Sequence, residues 1–191
     1  MSAILDALLL DIPEALETER LTLAATRAGR GPSVNDAVCE SFPELHAWMP
    51  WAAKQQSLEE SERHCREAQA KWHAREMLDF CFVRRADGRL VGKGGLHTID
   101  WTVPKFEIGY WIRSSCVRQG FATEATAALA SLAHSGLGAR RVEITCNARN
   151  AASRRVAEKN GFALEGVLRS HRRDSAGELA DTCVYAKTFP R

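Results

Sequence analysis

The chain has 191 residues, 45% of them hydrophobic and 26% charged, with a formal net charge of +2. That is the length of one ordinary domain able to bury a core unaided, and the composition excludes disordered, collagen-like and coiled-coil classes. No apolar run is long enough to cross a bilayer, and so small a net charge gives no argument for nucleic acid.

The opening MSAILDALLLDIPEAL has neither a basic start nor a small-residue cleavage site. It is read as an N-terminal extension (1–16) on a single cytoplasmic domain whose core runs over about 17–189, with no membrane partner. The six cysteines are widely spaced, with no CxxC and no Cys/His pair at finger spacing. They are expected to be reduced, buried thiols, and no metal site is expected.

Arg20–Ala25 alternates as a strand, Gly29, Gly31 and Pro32 break the chain, and a short helix follows Ser33. Trp48-Met49-Pro50-Trp51 is too aromatic and proline-broken for a helix. Ser57 and Glu60 form a capping box that starts a long helix ending near Arg75. Leu78–Arg84 and Leu90–His97 are strands joined at Asp87-Gly88, and Lys105–Arg113 is a third, with Phe106, Ile108, Tyr110 and Ile112 on one face and Glu107 and Trp111 on the other. The period then changes. Thr123–Ser135 reads as a helix, Arg141–Cys146 as a strand, and Ala151–Asn160 as a helix closed by Gly161. Leu164–Arg169 and Thr182–Phe189 make a closing hairpin. The order predicts a mixed α/β (α+β) single domain with a mostly antiparallel sheet of six to seven strands and about four helices.

Three features bear on chemistry. Between Arg113 and Arg173 stand ten arginines and Lys159 against only Glu124, Glu143, Glu158 and Glu165, an excess suited to an anionic ligand. The turn Arg118-Gln119-Gly120-Phe121-Ala122-Thr123 leads from a strand into a helix, where free N–H groups and the helix dipole favour an anion. Gly92-Lys93-Gly94-Gly95 lacks phosphate-loop spacing and reads as a strand that another backbone or a ligand can approach closely.

EIGYWI…RQGFATEA followed by NARNAASRRVAEKNGFALEG resembles the GNAT superfamily of acyl-CoA-dependent N-acetyltransferases. The first part is similar to that family's pyrophosphate loop, with Val117 where Gln or Arg is usual and Arg118 where a glycine often stands. The second is matched by Asn150, Ser153, Val156, Lys159, Gly161 and Phe162. With ETERLTL near the start and WMPW near residue 50, the chain resembles the RimJ/RimL branch, which includes ribosomal-protein N-terminal acetyltransferases.

The resemblance implies a GNAT-like fold whose fourth and fifth strands, Lys105–Arg113 and Arg141–Cys146, splay apart. It implies acetyl-CoA as co-substrate, held by Trp111, Ile112, Arg113, Arg118, Gln119, Gly120, Phe121, Ala122, Thr123, Asn150 and Ser153. Ser153 would serve the leaving thiolate. The branch's glutamate base falls on Arg172, flanked by His171 and Arg173, so Glu107 is taken as its replacement, with His171 and His97 behind it. Trp48 and Trp51, with His97 and Glu107, are expected to bind the acceptor amine, and Trp72 and Trp101 to help wall the cleft. A protein N-terminus is one acceptor class, and a homodimer is left open. The rivals are an inactive acyl-CoA sensor of the same fold, an arginine-rich nucleic-acid binder, disfavoured because Phe121 and Phe162 alone interleave aromatics, and a ping-pong enzyme using Cys116 or Cys146, which no adjacent histidine supports.

Overall fold

A computed structural model of the chain describes residues 7–189; the first six residues of the expected extension and the last two lie outside the described residues. The strands are β1 (Ala15–Glu17), β2 (Leu21–Ala25), β3 (Leu78–Arg84), β4 (Leu90–Asp100), β5 (Lys105–Ile112), β6 (Arg141–Asn147), β7 (Ala163–Arg173) and β8 (Leu179–Thr188). The helices are α1 (Gly31–Glu40), α2 (Phe42–Trp48), α3 (Leu58–His73), α4 (Phe121–Ser131) and α5 (Ala151–Lys159). One sheet runs in the order β1-β2-β3-β4-β5-β6-β8-β7. Its pairs are antiparallel except β5 with β6.

The eighth strand and fifth helix were not expected from sequence. β1 begins inside the stretch set aside as an extension, and nearby Ile12 is buried in the core. In α2, Pro43 sits in the first turn, where its missing N–H costs nothing, and Trp48 ends the helix. Pro50–Ala52 continues as one 3₁₀ turn. The capping box of α3 forms as read: Ser57 Oγ accepts the Glu60 N–H at 3.1 Å and the Glu60 carboxylate accepts the Ser57 N–H at 2.8 Å.

Strand alternation divides the apolar residues between two faces. Phe80, Phe82, Phe106 and Ile108 pack with Phe121, Ala125 and Leu129 of α4. On the other face Cys81 and Leu90 meet Val34 and Val38 of α1 and Cys65 of α3. Among the described residues no helix is long and apolar enough to cross a membrane.

Candidate active site

The sheet divides between β5 and β6. They pair only at Lys105–Arg141, Phe106–Val142 and Glu107–Glu143. Beyond that, β5 follows β4 to Ile112 and β6 follows β8 to Asn147. The Arg113 N–H donates to the Val91 carbonyl at 2.8 Å. Antiparallel alternation from that bond aims the N–H groups of Glu107, Gly109 and Trp111 at β4 and those of Ile108, Tyr110 and Ile112 at the open edge. The sequence expectation is corrected at two positions. Trp111 has its amide committed to β4, and Arg113 faces away, its buried guanidinium clamped by Glu40 at 2.5 Å and Asp36 at 2.8 Å. Ile112 remains on the edge, joined by Tyr110.

Across the split stands the start of α5. Asn150 Oδ1 accepts the Ser153 N–H at 3.0 Å, so Asn150 is the helix cap rather than a free polar contact, and it fixes Ser153 in the first turn. Ser153 Oγ lies 3.1 Å from the Tyr110 hydroxyl, bridging α5 to β5. Burial pushes the Tyr110 phenol up to about 12, which keeps its proton in place. Tyr110 is on a strand and not on the helix, and the facing of β5 and α5 across the split brings the two hydroxyls together. Burial also pushes the neighbouring Cys146 thiol up.

The turn before α4 has positive φ at Arg118 (61°) and Gly120 (86°), an alternation that cups N–H groups around an anion. Gly120 is the left-handed cap of α4, with no side-chain bond onto the helix start. That leaves the Phe121, Ala122 and Thr123 N–H groups facing outward. Gln119 folds back, its side-chain amide donating to the Ser115 carbonyl at 3.3 Å. The turn is propped from the connection between β1 and β2, a support the sequence did not reveal. Arg20 Nη1 donates to the Gln119 carbonyl at 2.9 Å, and the guanidinium lies 4.8 Å over the Phe121 ring. Glu124 accepts from Thr18 Oγ1 at 2.6 Å and from Arg20 N and Nε at 2.8 Å each.

On the α1/α3 side, a cavity of about 400 Å³ is walled by Val34, Val38, Met49, Trp51 and Trp111. Register explains its floor. Asp79, Gly95 and Gly109 form one cross-strand row, and Cys81, Lys93 and Trp111 the next. Two glycines therefore present bare backbone beside a row of side chains, and a Cβ at Gly95 would run into the Leu78 carbonyl. A Cβ at Gly109 would come within 2.6 Å of His97 Nε2, so the imidazole lies over that glycine. Glu107 accepts from Thr145 Oγ1 at 2.5 Å and its other oxygen is 3.9 Å from His97 Nδ1, which places Glu107 and His97 together at the mouth. Lys93, 3% exposed, has its ammonium 2.8 Å from Asp79 Oδ2. Burial opposes the ammonium, but the Asp79 charge outweighs it and holds the lysine above its ordinary range.

Of the tryptophans, Trp51 lines this cavity and sits 6.4 Å from Trp111, while Trp48 lines a second cavity of about 240 Å³ with Arg172 and Asn147. Trp72 and Trp101 do not wall the cleft. Trp72 packs edge-on against Phe80 in the core, and Trp101 packs on Phe106 and donates to the Arg75 carbonyl. Arg172, in the branch's base position, donates Nε to Thr182 Oγ1 at 2.9 Å, and His171 Nδ1 lies 3.1 Å from the same oxygen. The basic excess is partly internal: Arg113, Arg141 and Arg149 are in ion pairs.

Residues 20–163 match the family described as an acetyltransferase (GNAT) domain. The chain is 31% identical over 153 residues to the ribosomal-protein-serine acetyltransferase of Escherichia coli (strain K12), covering 80% of this chain and 84% of that protein. It is 37% identical over 108 residues to the uncharacterized N-acetyltransferase YoaA of Bacillus subtilis (strain 168), a match spanning 56% of this chain and 60% of the relative. Among solved structures, RimL, a ribosomal L7/L12 alpha-N-protein acetyltransferase in complex with coenzyme A, superposes with a TM-score of 0.84 at 24% identity, covering 93% of this chain and 97% of that one. The microcin C7 self-immunity acetyltransferase MccE, in complex with acetyl-CoA and AMP, does so with a TM-score of 0.85 at 21% identity, covering 93% and 97%. At those identities the two structures speak for the fold. With three quarters of its length inside the family match, the chain belongs to the GNAT family of N-acetyltransferases.

Proposed function

We propose that the chain transfers an acetyl group directly from acetyl-CoA to a primary amine, with a protein N-terminal α-amine as the favoured acceptor class. The observation that carries this is the open β5 edge at Ile108, Tyr110 and Ile112, closed at one end by the Ser153 and Tyr110 hydroxyls. An extended arm with amides can add to such an edge as a further strand. The cupped N–H groups at Gly120 suit a pyrophosphate at the far end of that arm. Acetyl-CoA, when bound, supplies the activated acyl group. The chain's own residues do the rest.

Edge N–H groups at Tyr110 and Ile112 orient and polarise a carbonyl beside them. Glu107, at the mouth of the acceptor cavity, takes the proton from the incoming ammonium, directly or through water. Ser153 Oγ donates toward the sulfur, backed by the Tyr110 phenol. No acyl-enzyme is involved: Cys116 and Cys146 are buried, and burial holds the Cys146 thiol protonated. The E. coli relative's name, a ribosomal-protein-serine acetyltransferase, supports a protein α-amine as acceptor.

The test is mass spectrometry of the purified protein with acetyl-CoA against a panel of peptides and small amines. Transfer to at least one α-amine, with the chain itself unmodified when the acceptor is omitted, is the expected result. Binding of acetyl-CoA with no transfer to any amine would instead establish the sensor reading, which the arginine at position 172 favours.

A further inference from the structure

The acceptor cavity contains an ion pair that neither the fold nor the transfer chemistry requires. Lys93 is 3% exposed and Asp79 13% exposed, and both line the cavity. Their closest atoms are 2.8 Å apart, and beyond that contact neither Lys93 Nζ nor Asp79 Oδ2 has a hydrogen-bond partner among the described residues. A buried ammonium and a buried carboxylate oxygen left in this state are costly, and natural structures retain them where a ligand or an ordered solvent molecule completes them.

The surroundings show where such a ligand lies. Asp79, Gly95 and Gly109 share a row across three adjacent strands, and the cavity follows it as a lane from the pair to His97, whose imidazole covers Gly109 and stands beside Glu107. Strands are spaced by about 4.8 Å and residues along a strand by about 3.3 Å, so Glu107 is about 12 Å from Asp79, and an amine and a neutral group each about 3 Å from its own partner are about 6 Å apart. The walls along the lane are Val34, Val38 and Met49, which suit a short aliphatic link.

Charge then selects the group. The pair is neutral as a unit. A ligand carboxylate drawn to Lys93 would lie against Asp79, and a ligand ammonium drawn to Asp79 would lie against Lys93, each in a site of low dielectric. His64, whose Nε2 is 3.8 Å from Asp79, is held below its ordinary pKa by burial first and by Lys93 second, so it adds no fixed charge near neutrality. His97 and Glu107 face the other end of the lane. What remains is an uncharged group that accepts from Nζ and donates to Oδ2 side by side.

We infer that Lys93 and Asp79 select acceptor amines carrying a primary carboxamide, or an equivalent neutral donor–acceptor group, several bonds from the reacting nitrogen. This rests on the acetyl-transfer reading of the same cavity. For a peptide α-amine, a glutamine in first position has the right reach.

Four peptides differing only in the first residue (glutamine, methionine, glutamate, lysine) present nearly equal volume and different polarity. The wild-type chain should prefer the glutamine peptide by about tenfold or more in kcat/KM, because its rivals leave buried polar atoms unpaired or oppose a charge. Removing Lys93 alone would strand Asp79, so the test uses Asp79→Leu combined with Lys93→Met, which keeps the volume and removes both charges. In that double variant the methionine peptide should equal or exceed the glutamine one, with the change falling mainly on KM. Equal use of all four peptides by the wild type, or an unchanged preference in the double variant, overturns the inference and leaves the acetyltransferase reading intact. A second arm is independent of transfer: saturation-transfer NMR with pentanamide, pentanoate and pentylammonium on the free protein. Pentanamide should give the strongest signal on the wild type and lose it on the double variant; if pentanoate or pentylammonium gives the stronger signal, or the double variant keeps the pentanamide signal, the inference fails even if no peptide is acetylated.

Discussion

Replacing Glu124 by alanine tests whether the turn before α4 is held in shape from the β1–β2 connection. Glu124 is 16% exposed on its side chain and receives Thr18 Oγ1, the Arg20 N–H and the Arg20 guanidinium. Hydrogen bonds to a charged acceptor are worth about 1.5–3 kcal/mol each when taken singly, and bonds sharing one carboxylate do not add. The Arg20 side chain is 43% exposed, so its ionic share is screened and small. The two shorter-range donors dominate, and the expected destabilisation is about 2–3 kcal/mol. For a chain of this length, that lowers the melting temperature by about 5–10 °C. The functional effect is separate. Without Glu124, Arg20 no longer fixes the Gln119 carbonyl or covers Phe121. The turn must then be ordered on ligand binding, at about 1–2 kcal/mol per residue fixed, so affinity for coenzyme A should fall about tenfold or more by isothermal titration. Arg20→Met should reproduce the affinity loss with a smaller thermal shift. A melting temperature within a degree of wild type together with unchanged coenzyme A affinity would refute the argument.

Gly120→Asp forces a side chain into a residue at φ 86°, where a Cβ would meet Arg20 Nη2 at 3.2 Å, and adds a negative charge to the cupped N–H groups; titration should show coenzyme A binding weakened by at least about tenfold. Ser153→Ala should lower kcat by roughly ten- to hundredfold with little change in KM for acetyl-CoA, a loss of about 1.5–3 kcal/mol, and Tyr110→Phe should cost less because its hydroxyl acts through Ser153; equal kcat in wild type and Ser153→Ala removes the serine from the mechanism. Acid stability should reflect Glu40, which hydrogen bonds from Arg113 and then Ser115 hold down at about 2 against an ordinary 4.5. Its folded-state value lies below its unfolded one, so its contribution is fully present above about 4.5 and disappears as pH falls toward 2. Urea midpoints measured at pH 6, 4 and 3 should drop along that range, and Glu40→Gln should flatten the dependence. Glu107→Gln removes the base while keeping its shape and should flatten the acidic limb of the pH–rate profile; a wild-type profile would move the role elsewhere.

What the sequence made legible is what short-range physics decides. Ser57 and Glu60 are three residues apart, and both halves of the capping box form. The alternation in Lys105–Arg113 placed Phe106 and Ile108 in the core and Glu107 on the opposite face, as the strand period requires. The N-x-x-S spacing put Ser153 in the first turn of α5. The misses at this level were also local. Trp48 was kept out of a helix because Pro50 was read as a breaker, whereas α2 runs through Trp48 and ends before that proline. Which amides of Lys105–Arg113 face the open edge was not legible, because sequence gives a strand's side-chain alternation but not the phase of its hydrogen bonds, which here is set by one partner, Val91 on β4.

The rest of the site joins residues that no spacing rule connects. Thr18 and Arg20 meet Glu124 across more than a hundred positions, and nothing in either segment predicts the other. Tyr110 meets Ser153 because β5 and α5 face each other across the gap where the sheet divides. Lys93 was the hardest to see. In sequence it is a lone lysine in a run of glycines, which suggests a weak and mobile strand. Register reverses that reading: Gly95 and Gly109 put bare backbone at the floor, β3 brings Asp79 alongside, and Trp111 closes the row, so the least bulky part of the sheet holds its most buried charge. A charge in that position is tolerated only if something completes it, which is why the residue with the weakest sequence signal carries the sharpest prediction about the acceptor.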